Sequence, residues 1–244
     1  MNYPRPCIYK DYQQTPLMLH QRIFRALAKF LAKRNIYIAK SLSYASYPRR
    51  VSVERFDFVR MAMLDLAANE IYDKGMKGNT AELGVYKGEF SAEINTAFPD
   101  RKLYLFDTFE GFDKRDVSSE IAGGYSKGSQ DFSDTSAESV LSRMPIKENC
   151  IIKKGFFPDT AEDVEDTFVF VSIDTDLYAP IYSGLKYFYT RLTPGGYIFV
   201  HDYHNHEYPG AKEAVEKFCI EMSVSFVPFP DNGGSVAIRK PRPY

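Results

Sequence analysis

The 244-residue chain contains no tryptophan, only three cysteines and four histidines, and carries a formal net charge of -1. Each scarcity excludes something. Cys7, Cys150 and Cys219 are odd in number, far apart and without any C-x-x-C pairing. They read as reduced thiols, which points to a cytoplasmic protein rather than a disulfide framework or zinc site. A net charge near zero gives no reason to expect a nucleic-acid partner. No apolar run reaches the roughly 18 residues of a membrane span. The opening MNYPRPCIYK lacks the apolar core of a signal peptide. What is present is an ordinary globular composition, 44% hydrophobic and 26% charged, with 18 Tyr and 19 Phe. Most of those rings belong to a core, leaving a few to floor a pocket.

The first fifty residues differ from the rest. Residues 16–40 read as a helix with Ile23, Leu27, Phe30 and Leu31 on one stripe and Arg22, Arg25, Lys29, Lys33 and Arg34 around it. Such a helix packs on the domain or on a second copy of the chain, as in a homo-oligomer, or lies on an anionic membrane surface. Residues 41–52 read as a loop, whose Arg49 and Arg50 are suited to a phosphate on the acceptor or to solvent. Residues 54–72 form a second helical pattern, with Phe58, Met61, Leu64, Leu66 and Ile71 as its buried face. The expected division is a helical extension over 1–76 and a main domain over 77–244.

From residue 77 strands and helices alternate. Strands are expected at 80–85, 102–107, 150–155, 167–174 and 197–200. Helices are expected at 88–97, at 136–144 with a cap at Ser133 or Asp134, at 181–192 and at 209–222. Residues 225–228 and 235–239 close as a β-pair around Asp231-Asn-Gly-Gly. This alternation predicts an α/β fold with a doubly wound, mostly parallel sheet. The long polar stretch 113–131 suits a lid better than a plain connector.

In such a sheet, ligands bind beyond the carboxyl ends of the strands. Those ends deliver Glu82, Gly84, Val85, Tyr86 and Gly88; then Asp107, Thr108 and Phe109; then Gly155 and Phe156; then Asp174 and Asp176; then His201 and Asp202. Four of the five ends carry an acid. Glu82-x-Gly84-x-x-x-Gly88 allows close backbone approach and aims a helix N-terminus at a ligand. It is not the G-x-G-x-x-G of a nicotinamide binder. It fits a ligand with one nucleoside and a positively charged amino-acid tail, and Asp107 stands where such binders place the acid that takes ribose hydroxyls. Asp174, Asp176 and His201-Asp202 make an oxygen-rich cluster with one imidazole. Carboxylates there suit Mg²⁺, an imidazole shifts preference toward Mn²⁺, Fe²⁺ or Zn²⁺, and without a metal one of these groups serves as a general base.

AELGVYKGEFSAEI, LYLFDTFEGFD, GFFPDT, SIDTDLYAP, LTPGGYIFVHDY and GAKEAVEKF occur in this order. Together they resemble the macrocin O-methyltransferase family, class I S-adenosylmethionine-dependent enzymes that methylate sugar hydroxyls. The resemblance covers roughly residues 54–239. It implies a seven-stranded Rossmann-like sheet ending in an antiparallel pair, and a small-molecule or glycan acceptor. It also implies Glu82, Gly84 and Gly88 around the methionine end of S-adenosylmethionine, Asp107 on its ribose, and Gly155-Phe156 near its adenine. The same resemblance implies a divalent metal, Mg²⁺ with Mn²⁺ as the alternative, held by Asp174, Asp176, His201 and Asp202. Asp174 is then the general base, with Asp176 as the alternative within the motif. Where many members have Asp-Asp-Tyr, this chain has His201-Asp202-Tyr203. That departure leaves open a metal-free site, His201 as the base, and a non-catalytic subunit that only binds the cofactor.

Overall fold

The computed structural model describes residues 57–242 together with 23, 26, 27, 29–31, 33 and 34. The chain divides into two units, Met1–Pro48 and Arg49–Tyr244. In the first, the described residues 23, 26, 27 and 29–31 are helical, with Ile23, Leu27 and Phe30 exposed. Arg34 stacks its guanidinium 4.1 Å from the centre of the Phe30 ring. The remainder of the expected 16–40 helix, the 41–52 loop and its Arg49 and Arg50 lie outside the described residues. No described helix is long and apolar enough to cross a membrane.

The second unit opens with α1 (Phe58–Asp73), started by Asp57, whose carboxylate accepts the Arg60 N–H at 3.0 Å. Its buried face includes Met61, Leu64 and Ile71, as expected, but Leu66 is exposed. Helix α1 packs in a core cluster of the second unit. Seven strands follow: β1 (Asn79–Leu83), β2 (Leu103–Asp107), β3 (Cys150–Lys154), β4 (Phe168–Ile173), β5 (Leu192–Val200), β6 (Phe226–Pro228) and β7 (Val236–Arg239). They form one sheet in the order β3-β2-β1-β4-β5-β7-β6. Only β7 runs antiparallel to its neighbours. All six residues of β4 are buried, as a central parallel strand covered on both faces requires.

The helices are α2 (Glu89–Ala97), α3 (Lys114–Ala122), α4 (Ala137–Arg143), α5 (Tyr178–Arg191) and α6 (Pro209–Met222). One core cluster joins Leu185 and Phe188 of α5 and Phe218 of α6 to the sheet; the other joins Leu64 of α1, Ile94 of α2 and Val140 of α4 to it. The sheet is therefore doubly wound. Three details differ from the sequence reading. The 113–131 stretch holds a full helix, α3. The α4 cap is Ser136, in a reciprocal capping box with Ser139, because Asp134 is occupied by Lys87 and the Tyr86 hydroxyl. Strand β5 begins at Leu192 rather than 197, since the Pro194-Gly195-Gly196 run continues the strand with Gly195 at φ 90°.

Candidate active site

Strand register builds the site. The parallel ladder pairs Leu83 with Phe106 and Ile173, and Ile173 with Val200. The residues just beyond are tied to neighbouring strands. Gly84 N–H donates to Phe106 O at 2.9 Å, Asp174 N–H to Leu83 O at 2.8 Å, and His201 N–H to Ile173 O at 2.9 Å. Gly84, Asp174 and His201 thus leave the sheet side by side, at the reversal of strand order between β1 and β4. Gly84 has φ 84°, and a Cβ there would fall 2.0 Å from the Asp174 carbonyl oxygen. No other residue fits that approach.

A cavity of about 690 Å³ opens over this edge. Of the predicted site residues, Glu82, Gly84, Val85, Tyr86, Asp107, Thr108, Gly155, Phe156, Asp174, Asp176, His201 and Asp202 line it. Gly88 and Phe109 do not. Gly88 caps α2, and Phe109 is buried with its N–H on Asp107. Tyr86, Phe109, Asp176 and Asp202 all hold left-handed backbone, at φ 48°, 56°, 59° and 60°. Such conformations concentrate at functional sites because they are costly elsewhere.

Asp107 ties two strand ends together. Its Oδ2 accepts the Val85 and Tyr86 N–H groups at 2.6 and 3.0 Å, and its Oδ1 accepts that of Phe109 at 2.6 Å. Oδ1 keeps one lone-pair direction for a ribose hydroxyl. Glu82 is buried and accepts a hydrogen bond from the Ser91 hydroxyl. Burial, opposed by the nearby Arg60 charge, pushes its carboxyl up to about 8. An ammonium arriving beside it would restore its charge. With the ring of Phe156 on the same wall, these residues fit S-adenosylmethionine: an acid for the amino-acid tail, an acid for the ribose and a ring for the base. Arg115 of α3 lies 3.4 Å over the Phe156 ring and bonds Asp159 at 3.1 Å and Asp113 at 3.0 Å. It joins the lid helix to the loop after β3.

The centre of the site is a charge cluster that includes one residue the sequence reading missed. Arg60, from α1, places Nη1 2.9 Å from Asp174 Oδ2 and Nη2 3.3 Å from the Ser172 hydroxyl. Its guanidinium lies 3.9 Å over the Phe90 ring. Arg60 stands on the same helical stripe as Leu64, Ala67 and Ile71, and a charge on a buried stripe was the signal available in the sequence. His201 Nδ1 stands 2.6 Å from Asp202 Oδ2 and 3.2 Å from Asp174 Oδ1. Burial alone would lower the imidazole pKa. The Asp174 charge and hydrogen bonds to both carboxylates outweigh it and push His201 up to about 10. Burial likewise opposes charge on Asp174, but His201 and Arg60 hold it far below the usual carboxylate range. Asp176 moves the other way: burial, then the charges of Asp202 and Asp174, raise it well above that range.

The donor atoms of Asp174, His201 and Asp202 lie within 4.8 Å of one another, close enough to be considered as metal ligands. As they stand they do not fit Mg²⁺. Imidazole is a poor ligand for it, and the Nδ1–H of His201 already bridges the two carboxylates. Arg60 already pairs with Asp174.

One wall of the cavity carries residues the sequence reading did not name. It carries Phe112, Phe132 and Tyr208 in edge-to-face contacts, with ring centres 5.1 and 6.1 Å apart. Asp116 of α3 also lines it; burial, then the Asp113 charge, pushes its carboxyl up to about 7.

A doubly wound, mostly parallel sheet with a terminal antiparallel pair, and a nucleoside-sized site at its switch point, defines a class I methyltransferase. The profile of the macrocin O-methyltransferase family matches residues 21–226. The chain belongs to that family, and it is an S-adenosylmethionine-dependent O-methyltransferase. Demethyldecarbamoylnovobiocin O-methyltransferase of Streptomyces niveus is 23% identical over 189 residues, which is 72% of this chain and 69% of that one. The solved structure of the O-methyltransferase NovP is similar with a TM-score of 0.63 and 21% identity, over 76% of this chain and 81% of that one. The calicheamicin methyltransferase CalS11 follows at 0.57 and 18%, over 92% and 94%. A Bacillus cereus O-methyltransferase in complex with S-adenosylhomocysteine aligns at 0.51 and 12%, over 88% and 97%.

Proposed function

We propose that this chain methylates a hydroxyl of a sugar, free as a nucleotide sugar or carried on a small molecule, with Asp176 as the general base. The observation that carries the base assignment is the difference between the two acids of SIDTDLYAP. Asp174 is held by Arg60 and His201, which leaves it a weak proton acceptor. Asp176 lines the cavity with a raised affinity for protons and shares a hydrogen bond with Asp202. His201 Nδ1 lies between the Asp202 and Asp174 carboxylates, which suits it to donate rather than to act as the base.

When bound, S-adenosylmethionine supplies a methyl on a sulfonium, the electrophile. Glu82 and Asp107 hold and orient it. Asp176, once ionised, takes the proton of the acceptor hydroxyl as its oxygen forms the new C–O bond in place of the methyl–sulfur bond, with S-adenosylhomocysteine as the leaving group. The lid residues Phe112, Phe132 and Tyr208 offer apolar ring faces and Asp116 a hydrogen-bonding group, a combination suited to a sugar. The acceptor class is supported by the relatives, one of which is described as a TDP-rhamnose 3'-O-methyltransferase.

The test is to incubate the chain with labelled S-adenosylmethionine and a panel of nucleotide sugars and glycosides. Wild type transfers label to a sugar hydroxyl. Asp176→Asn binds S-adenosylhomocysteine but does not transfer. Undiminished transfer by that variant would return the base role to another residue.

A further inference from the structure

Resting on the methyltransferase reading, we infer that Arg60 and His201 take the place of a divalent ion at this site, so that methyl transfer here needs none. Three relationships carry this.

The first is spacing. His201 Nδ1 and Asp202 Oδ2 are 2.6 Å apart, whereas adjacent ligands of one octahedral Mg²⁺ stand about 2.9 Å apart. A separation this short is that of a charge-assisted hydrogen bond, with a proton where the ion would sit. A second contact from the same nitrogen, 3.2 Å to Asp174 Oδ1, shares that proton.

The second is charge. Arg60 already sets a fixed positive charge against Asp174. A divalent ion bound by Asp174 would lie against that cation, which is unfavourable.

The third is rigidity. Arg60 comes from the buried stripe of α1 and is held on three sides, by Asp174, by the Ser172 hydroxyl and by the face of Phe90. These three contacts fix its position against Asp174. The loop between β6 and β7 closes on His201 in the same way. A Cβ at Gly233 would fall 2.5 Å from His201 Cε1 and 2.7 Å from Nε2. Asp57 and Asp231, which also come within 4.8 Å of a ring nitrogen of His201, are no better seat for an ion. Asp57 accepts the Arg60 and Asn232 N–H groups, and Asp231 accepts from the Ser235 N–H and hydroxyl.

Arg60 and His201 therefore do what an ion would do for this chain: they hold Asp174 and Asp202 in place.

The test reads metal binding directly and needs no acceptor. Mn²⁺ is titrated into the full chain with saturating S-adenosylhomocysteine, and free Mn²⁺ is followed by electron paramagnetic resonance. Thermal unfolding with and without S-adenosylhomocysteine is recorded on the same samples. The expected result is a clear shift from S-adenosylhomocysteine and no Mn²⁺ site tighter than about 1 mM. Arg60→Ala/His201→Asp, checked for the same shift as proof that it folds, restores an all-oxygen set and gains a site at least about tenfold tighter. One Mn²⁺ per wild-type chain, bound below about 100 µM and lost in Asp202→Asn, would overturn the inference while leaving the methyltransferase reading intact. So would a folded double variant that gains no site. No shift from S-adenosylhomocysteine would instead overturn the methyltransferase reading, and this inference with it.

Discussion

Arg60 of α1 and Asp174 at the end of β4 form an ion pair of 2.9 Å, linking the first helix of the second unit to the floor of its site. The arginine is 11% exposed and the aspartate 25%. Removing Arg60 takes away the guanidinium partner of Asp174 and leaves it the His201 contact. Arg60→Ala is expected to cost about 3 kcal/mol of stability. A urea-denaturation cycle with Asp174→Asn should show a coupling of at least ~1 kcal/mol; additive losses would show that the pair contributes nothing.

Asp176 sets the pH dependence of turnover. With its carboxyl held above the usual range by burial and by Asp202 and Asp174, it keeps its proton at pH values where an ordinary carboxylate has lost it. Methyl transfer should therefore rise with pH through its titration and fall again as His201 loses its proton near 10. Asp176→Asn should lower kcat by roughly 10²- to 10⁴-fold with little change in S-adenosylhomocysteine affinity, as measured by calorimetry.

Glu82 links folding and ligand binding to protons. Its folded pKa, about 8, lies above the ordinary 4.5. The folded chain keeps a proton that the unfolded chain releases. This contribution to stability is complete below 4.5 and is lost as pH rises through about 8, with a slope of at most about 1.4 kcal/mol per pH unit. Glu82→Gln should flatten that slope in urea titrations across this window. Binding of S-adenosylhomocysteine to wild type near neutral pH should release a proton, read from calorimetry in buffers of different ionisation enthalpy. Identical heats in all buffers would contradict this.

Glu120 anchors the lid. Its buried carboxylate accepts the Tyr178 N–H and the Ser126 hydroxyl, both at 2.9 Å, fixing α3 to the start of α5. Glu120→Ala should cost about 1–3 kcal/mol and raise amide exchange over α3. Unchanged exchange would mean that other contacts hold the lid.

The strand ends were legible in the sequence because a parallel sheet in register must deliver its terminal residues to one edge. Apolar runs ending in Glu82, Asp107, Asp174 and His201 therefore named the floor of the cavity. Arg60 was not legible as a site residue. It hides among the core positions of α1, and only the fold brings it against Asp174, which is 114 positions later in the chain. The lid helix was missed for a related reason. Lys114–Ala122 carries only Val117 and Ile121 as large apolar residues, and it is tied down by Glu120 more than by a hydrophobic face. The start of β5 was hidden by Pro194-Gly195-Gly196, which normally stops an element but here continues a strand.

The most direct test of the account is methyl transfer itself. Wild type and Asp176→Asn would be given labelled S-adenosylmethionine with a panel of nucleotide sugars and glycosides, and S-adenosylhomocysteine binding would be measured on both proteins. The account predicts label on a sugar hydroxyl with wild type only, and equal S-adenosylhomocysteine binding by both. Transfer by Asp176→Asn at the wild-type rate, or no S-adenosylhomocysteine binding by wild type, would contradict it.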